Sequence, residues 1–112
     1  MTIQDKQLND LVIITITGDI DALTASTLTM HIKDHIIKGK VKLIADLKCV
    51  DYTSSAGLRV LLGAVKETRA LYGDMRLVNI QPNVQKVLAL SGFTNILKIY
   101  PDIDSAVNSF TQ

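Results

Sequence analysis

Residues 41–62 read VKLIADLKCVDYTSSAGLRVLL. Val41, Leu43, Ala45 and Leu47 alternate with their neighbours, which is strand spacing, because successive side chains of an extended chain point to opposite faces. Residues 48–54, KCVDYTS, are rich in groups that bond to backbone and read as a loop. Then the period changes. Leu58, Leu61, Leu62 and Val65 recur at i, i+3, i+4 and i+7, which predicts an amphipathic helix, with Tyr72 extending the stripe and Gly73 capping it. A strand handing over to a helix in this way is the repeating unit of an α/β sheet.

The same change of period recurs outward from this stretch. Upstream, LVIITIT at 11–17 is β-branched and apolar, as strands favour. Val12, Ile14 and Ile16 share one face; Leu11, Ile13, Thr15 and Thr17 share the other. Asn9-Asp10 is a plausible turn, so residues 2–7 are expected to pair back as a hairpin strand. Residues 22–37 read as a helix on Ala25, Leu28, Ile32 and His35/Ile36, stopped by Gly39. Downstream, 75–80 reads as a strand, and Pro82 suits the first turn of a short helix carrying Val84, Val87 and Leu88, with Gly92 after its end. Residues 96–100 read as a short strand. Asp102 is placed to cap a last helix with Ile103, Ala106, Val107 and Phe110 on one face. From residue 11 onward the order alternates strand and helix four times. The expected fold is α/β, a mixed β-sheet with packed α-helices, with parallel crossovers and one antiparallel hairpin.

Composition bounds the rest. At 112 residues the chain suits one domain spanning 1–112. It is 47% hydrophobic but only 4% aromatic, so its core must be built from Ile, Leu, Val and Ala. The net charge is +1, with basic and acidic residues interspersed, and no basic stripe of the kind that binds nucleic acid is visible. Lys38, Lys40 and Lys42 read as a solvated turn. The polar start MTIQDKQLND lacks a signal-peptide core, and no apolar run approaches the roughly 20 residues that span a bilayer. A single cysteine, Cys49, fits a reducing compartment and is expected to be a buried, inert thiol. The expected location is the cytoplasm, without membrane insertion.

The chemistry concentrates in Asp51-Tyr52-Thr53-Ser54-Ser55-Ala56-Gly57-Leu58-Arg59. A serine hydroxyl here, from Ser54 or Ser55, can accept from the free N–H groups at a helix start. The same position suits a phosphate, which is favoured by the helix dipole and those N–H groups. Ala56 and Gly57 are small enough for a partner to approach closely. Asp19 and Asp21 alternate at a strand end, either as a carboxylate pair for proton transfer or as caps of the next helix. His31 and His35 are i, i+4, a spacing that can present two metal ligands. Metal sites need three or four ligands, no third has convincing spacing, and His35 falls on the apolar stripe, so neither a metal nor a cofactor is assigned. Neither histidine lies in a nucleophile-elbow context, and there is no Gly-rich phosphate loop.

The run Ser-Ser-Ala-Gly-Leu-Arg-Val-Leu-Leu at 54–62 resembles the signature of the STAS domain, as in bacterial anti-sigma-factor antagonists. That family's motif is typically Asp-Ser-Ser-Gly-Leu, with the phosphate-accepting serine two positions before the glycine. Aligned on Gly57-Leu58, the acceptor is Ser55, followed by Ala56, and Ser54 stands where the family usually has aspartate. Thr17-Gly18-Asp19-Ile20-Asp21-Ala22-Leu23-Thr24 is similar to the family's Gly-Glu/Asp-Leu/Ile-Asp segment, and Pro82 through Ser91-Gly92-Phe93 to its helix ending in Ser-Gly-Leu/Phe. The resemblance implies a partner-switching regulator without enzymatic activity. Its implied partners are an ATP-binding anti-sigma-factor serine kinase and a serine phosphatase. A STAS module serving a membrane transport or lipid-trafficking complex is the alternative; the hydroxyl at Ser55 favours the first. The expected contact surface joins Asp19, Asp21 and Thr24 to Thr53, Ser54, Ser55, Ala56, Gly57 and Leu58.

Overall fold

The hairpin forms about Asn9-Asp10, joining β1 (Thr2–Leu8) to β2 (Leu11–Thr17) in antiparallel register, Asp5 opposite Ile14. Asn9 takes φ 56°, a left-handed conformation that asparagine tolerates better than most side chains. A computed structural model describes residues 1–111. Beyond the hairpin it contains α1 (Ala25–Ile37), β3 (Lys42–Cys49), α2 (Ser55–Ala70), β4 (Asp74–Val78), α3 (Pro82–Ser91), a 3-10 turn (Phe93–Asn95), β5 (Ile99–Tyr100) and α4 (Ile103–Phe110).

The sheet order is β1-β2-β3-β4-β5, with β2 to β5 mutually parallel. Each crossover advances the sheet in the same direction, and crossovers of one hand then put α1, α2 and α3 on one face. That face holds the main core. Val12, Ile14 and Ile16 of β2, Leu43, Ala45 and Leu47 of β3, and Met75 and Leu77 of β4 meet Leu28 and Ile32 of α1, Leu61 and Val65 of α2, and Val84 and Leu88 of α3. The opposite face offers Leu11, Ile13, Ile44 and Val78, covered by Ala106 of α4 with Ile103, Val107 and Phe110 packed around it. The period-2 faces read in β2 and β3 are the two faces of the sheet.

Several local expectations are corrected. The first helix begins at Ala25 rather than 22, because residues 21–24 form a side-chain-bonded turn. Tyr72 does not extend the α2 stripe. It sits past the helix end at φ 66° and is 97% exposed, and Thr68 takes the inward position instead. Gly73 is required by close packing, since a Cβ there would strike the Val41 backbone carbonyl. The strand expected at 75–80 stops at Val78, where Asn79 turns to φ 57°. The strand expected at 96–100 is only Ile99–Tyr100. Cys49, expected buried, is exposed at the end of β3.

The α4 side of the sheet is locked by charge. Asp74 is buried and accepts from Arg69 Nε at 2.9 Å, Arg76 Nε at 3.0 Å and the Met75 N–H at 3.0 Å. Arg76 in turn donates to Ser109 and lies 4.0 Å over the Phe110 ring, tying α4 to β4. None of the helices among the described residues is long and apolar enough to cross a membrane.

Candidate functional site

The site is built where β2 and β3 end. Thr15 pairs with Asp46 but Thr17 pairs with Cys49, so β3 carries one extra residue, a bulge that bends the strand exit. The two following loops stay zipped. The Gly18 N–H donates to the Cys49 carbonyl at 3.0 Å, the Ile20 N–H to the Tyr52 carbonyl at 3.1 Å, and the Ser54 N–H to the Ile20 carbonyl at 2.8 Å. Ile20 and Thr53 form a parallel bridge. Gly18 reaches φ 106°, which glycine adopts without a Cβ penalty. The Asp19–Thr24 and Val50–Ser55 segments therefore lie side by side at one edge of the fold.

Ser54 is the cap. Its backbone is extended (φ −86°, ψ 176°) and its hydroxyl accepts from the Gly57 N–H at 3.2 Å. Ser55 follows as the first helical residue and is exposed. Of the two serines offered as the cap, Ser54 takes that role and the Ser55 hydroxyl is left outside it. The first N–H groups of α2 have no partner within the helix, so Ser55 projects from a site suited to anionic groups.

Asp21 is a turn-former. Its Oδ1 accepts from the Leu23 and Thr24 N–H groups at 3.0 Å each, and Thr24 Oγ1 donates to the Asp19 carbonyl at 3.0 Å. The Thr24 N–H, above all, holds the Asp21 carboxyl below the ordinary carboxylate range. A carboxylate held ionised is suited to capping and poorly suited to carrying a proton.

The residues expected at the contact surface separate by depth. Asp19 and Ser55 are exposed, and Asp21, Thr24, Ser54 and Ala56 are half-buried. Thr53, Gly57 and Leu58 are buried. Gly57 packs beneath Ile20 and Thr53, and Leu58 joins the main core, so these three underlie the exposed residues. They hold the surface up from below. The space beside Gly57 is filled by the chain itself.

The residues pass from a bulged strand pair through two zipped loops to a capped helix, with a serine outside the cap. A family model described as STAS domain matches residues 2–106. The chain belongs to the STAS domain family. Among its relatives, BtrV of Bordetella bronchiseptica, named as a candidate anti-sigma factor antagonist, is 29% identical over 98% of this chain and 95% of its own. The anti-sigma F factor antagonist of Paenibacillus polymyxa is 26% identical over 100% of this chain and 94% of its own. The STAS fold is matched by a candidate anti-sigma factor antagonist from Thermotoga maritima at TM-score 0.94, 25% identity, and coverage of 98% of this chain and 95% of that one. The Bacillus anti-sigma factor antagonist SpoIIAA, 20% identical, shares the fold in both of its forms. The TM-score is 0.75 for the unphosphorylated protein, covering 98% of this chain and 97% of that one, and 0.76 for the phosphorylated protein, covering 99% and 100%.

The structure also brings together what spacing along the chain did not. Asp5 of β1 reaches His31 and His35 of this STAS domain's α1, supplying the third group that the sequence reading lacked. The signal available in sequence was the hairpin, which puts residues 3, 5 and 7 on one face of β1.

Proposed function

We propose that this chain acts as one STAS domain, in the cytoplasm, as an anti-sigma-factor antagonist. It binds an ATP-dependent serine-kinase anti-sigma factor through the Asp19–Thr24 and Ser54–Ala56 surface. Phosphorylation of Ser55 releases it, and a serine phosphatase restores it. It is a binding module rather than an enzyme. The observation that carries this reading is the division of labour at the start of α2: Ser54 caps the helix, and Ser55 stands exposed one position on. A phosphate there would meet unpaired N–H groups and would not displace the cap. It would add about −1.5 to −2 charges to a surface that already holds Asp19, Asp21 and Asp51. The full-length relatives named as anti-sigma factor antagonists support the class of partner.

The test is intact-mass analysis and fragment mapping of the protein from its native cells, followed by calorimetric titration of variants against an anti-sigma-factor serine kinase from the same cells. A single phosphate on Ser55 is expected. Ser55→Ala should bind as the wild type does, and Ser55→Asp much more weakly. Phosphate mapped to Ser54 or Thr53, or equal affinity of the two variants, would overturn the reading.

A further inference from the structure

We propose that Asp5, His31 and His35 form a binding site for a borderline divalent metal ion of the Zn2+ type, clamping the β1–β2 hairpin to α1. The two histidines stand one turn apart on one face of α1, with ring centroids 5.3 Å apart. From β1, alternate side chains face the helix side: Ile3 packs against the core, and Gln7 accepts from Lys40 Nζ at 2.8 Å. Asp5 lies between them. Its Oδ2 is 2.8 Å from His31 Nε2 and 2.9 Å from His35 Nε2, and its Oδ1 is 2.9 Å from His31 Nε2. One ligating atom from each of the three residues can be chosen so that all lie within 4.8 Å of one another. Ligands held at about 2.0–2.2 Å from one Zn2+ ion stand roughly 3–4 Å apart, so small side-chain rotations complete the geometry.

The donor set selects the ion. Two imidazole nitrogens and a carboxylate suit Zn2+, Ni2+, Co2+ or Cu2+, whereas Mg2+ and Ca2+ prefer all-oxygen shells. The side chains of Asp5 and His31 are 31% and 30% exposed and that of His35 is 12% exposed. An ion can therefore enter from solvent, and water can take a fourth position. Without an ion, both Nε2 atoms must carry protons and share one carboxylate. His35 Nδ1 is buried without a hydrogen-bond partner among the described residues. For Nε2 of His35 to ligate, the ring proton moves to Nδ1, where no acceptor among the described residues receives it. The missing brace should weaken the site by about 10–100-fold relative to a braced one. His31 lies six residues past the start of α1, about 9 Å along its axis, so the clamp is separate from the Ser55 surface.

The experiment uses the full chain after chelator treatment, melted with and without Zn2+. At about one hundred times the dissociation constant, a single native-state site should raise Tm by roughly 10 °C. Asp5→Asn and His31→Gln should each abolish the rise while melting cooperatively without metal. Mg2+ should give no shift, and Co2+ should acquire a visible absorption band with the wild type only. No rise in the wild type at millimolar Zn2+, or an equal rise in both variants, would overturn the site. Two variants on different elements keep the test decisive if one fails to fold.

Discussion

Gly57 lies directly beneath Ile20. A Cβ on Gly57 would stand 2.7 Å from Ile20 Cγ2 and 2.8 Å from the Ile20 carbonyl oxygen, and it would strike Thr53 Oγ1. The same Ile20 carbonyl accepts from the Ser54 N–H at 2.8 Å. One residue of the first loop thus sets both the cap of α2 and the close approach of its first turn. Ser55 is presented at a fixed position because the helix start cannot move without moving Ile20, which is fully buried.

Gly57→Ala should destabilise the domain by about 1–3 kcal/mol, the range for overpacking a dense site. Gly to Ala inside a helix ordinarily stabilises by roughly 0.5–1 kcal/mol, so the sign of the change reports the contact with Ile20. Urea unfolding measures it. A stabilised variant would mean that the two loops separate easily.

Ser54→Ala should lower stability by about 1 kcal/mol through loss of the cap. Ser55→Ala, on the exposed side, should stay within about 0.5 kcal/mol of the wild type. Parallel denaturant titrations of the two variants compare them directly, and a larger loss at Ser55 would assign the cap to the wrong serine.

Phosphorylating Ser55 should leave the fold intact. A phosphate at the start of α2 would meet free N–H groups and the positive end of the helix dipole. Arg59 is exposed four residues along α2, on the same face as Ser55. A phosphate at Ser55 is expected to pair with it. Thermal melts of both forms should agree to within a few degrees, and Arg59→Ala should lower Tm in the phosphorylated form more than in the unmodified one.

Acid should loosen the turn before α1 and the start of α4. Asp21 is held below its ordinary value of 3.8 chiefly by the Thr24 N–H, and Asp102 chiefly by the Ser105 N–H. A depressed folded value means that the stabilisation is complete above 3.8 and is lost as pH falls through the lower folded value. Replacing both by Asn keeps the turn at Asp21 and the cap at Asp102 and removes the titration. Below about pH 4, the Tm of the double variant should fall less steeply than that of the wild type, as followed by circular dichroism.

Asp74→Ala should cost about 3–5 kcal/mol, since it leaves Arg69 and Arg76 without their shared buried partner. The loss should spread to α4, because Arg76 also holds Ser109 and Phe110. Hydrogen exchange of the Ile103–Phe110 amides would show it, and unchanged protection there would separate α4 from the ion pair.

Most of the architecture was readable in the chain because the two periods are local. Val12, Ile14 and Ile16 alternate whatever lies across from them, and so do Leu43, Ala45 and Leu47. Leu58, Leu61 and Val65 mark a helix face from spacing alone. End signals are equally local: Asp102 caps through the Ser105 N–H at 2.8 Å, and Gly92 turns left-handed at φ 77° where the helix was expected to stop. The order of these elements, with one hand of crossover, carries a parallel sheet and an antiparallel first strand. The Ser-Ser-Ala-Gly-Leu run pointed to the STAS family before any contact was known.

What depended on partners far away in the chain was decided only by the tertiary structure. Which serine caps α2 follows from Ile20, thirty-four residues before Ser54, whose carbonyl fixes the backbone at the cap. Gly57 reads as an opening for a partner until Ile20 and Thr53 are seen to occupy the space. Cys49 reads as a core thiol until the bulge in β3 shifts the end of that strand. The two histidines lack a third ligand until hairpin register and helix docking bring in Asp5, 26 and 30 residues away. A periodic pattern tells which face of an element is apolar. It carries no information on which residue of another element stands opposite, because that is set by register and crossover across the whole sheet.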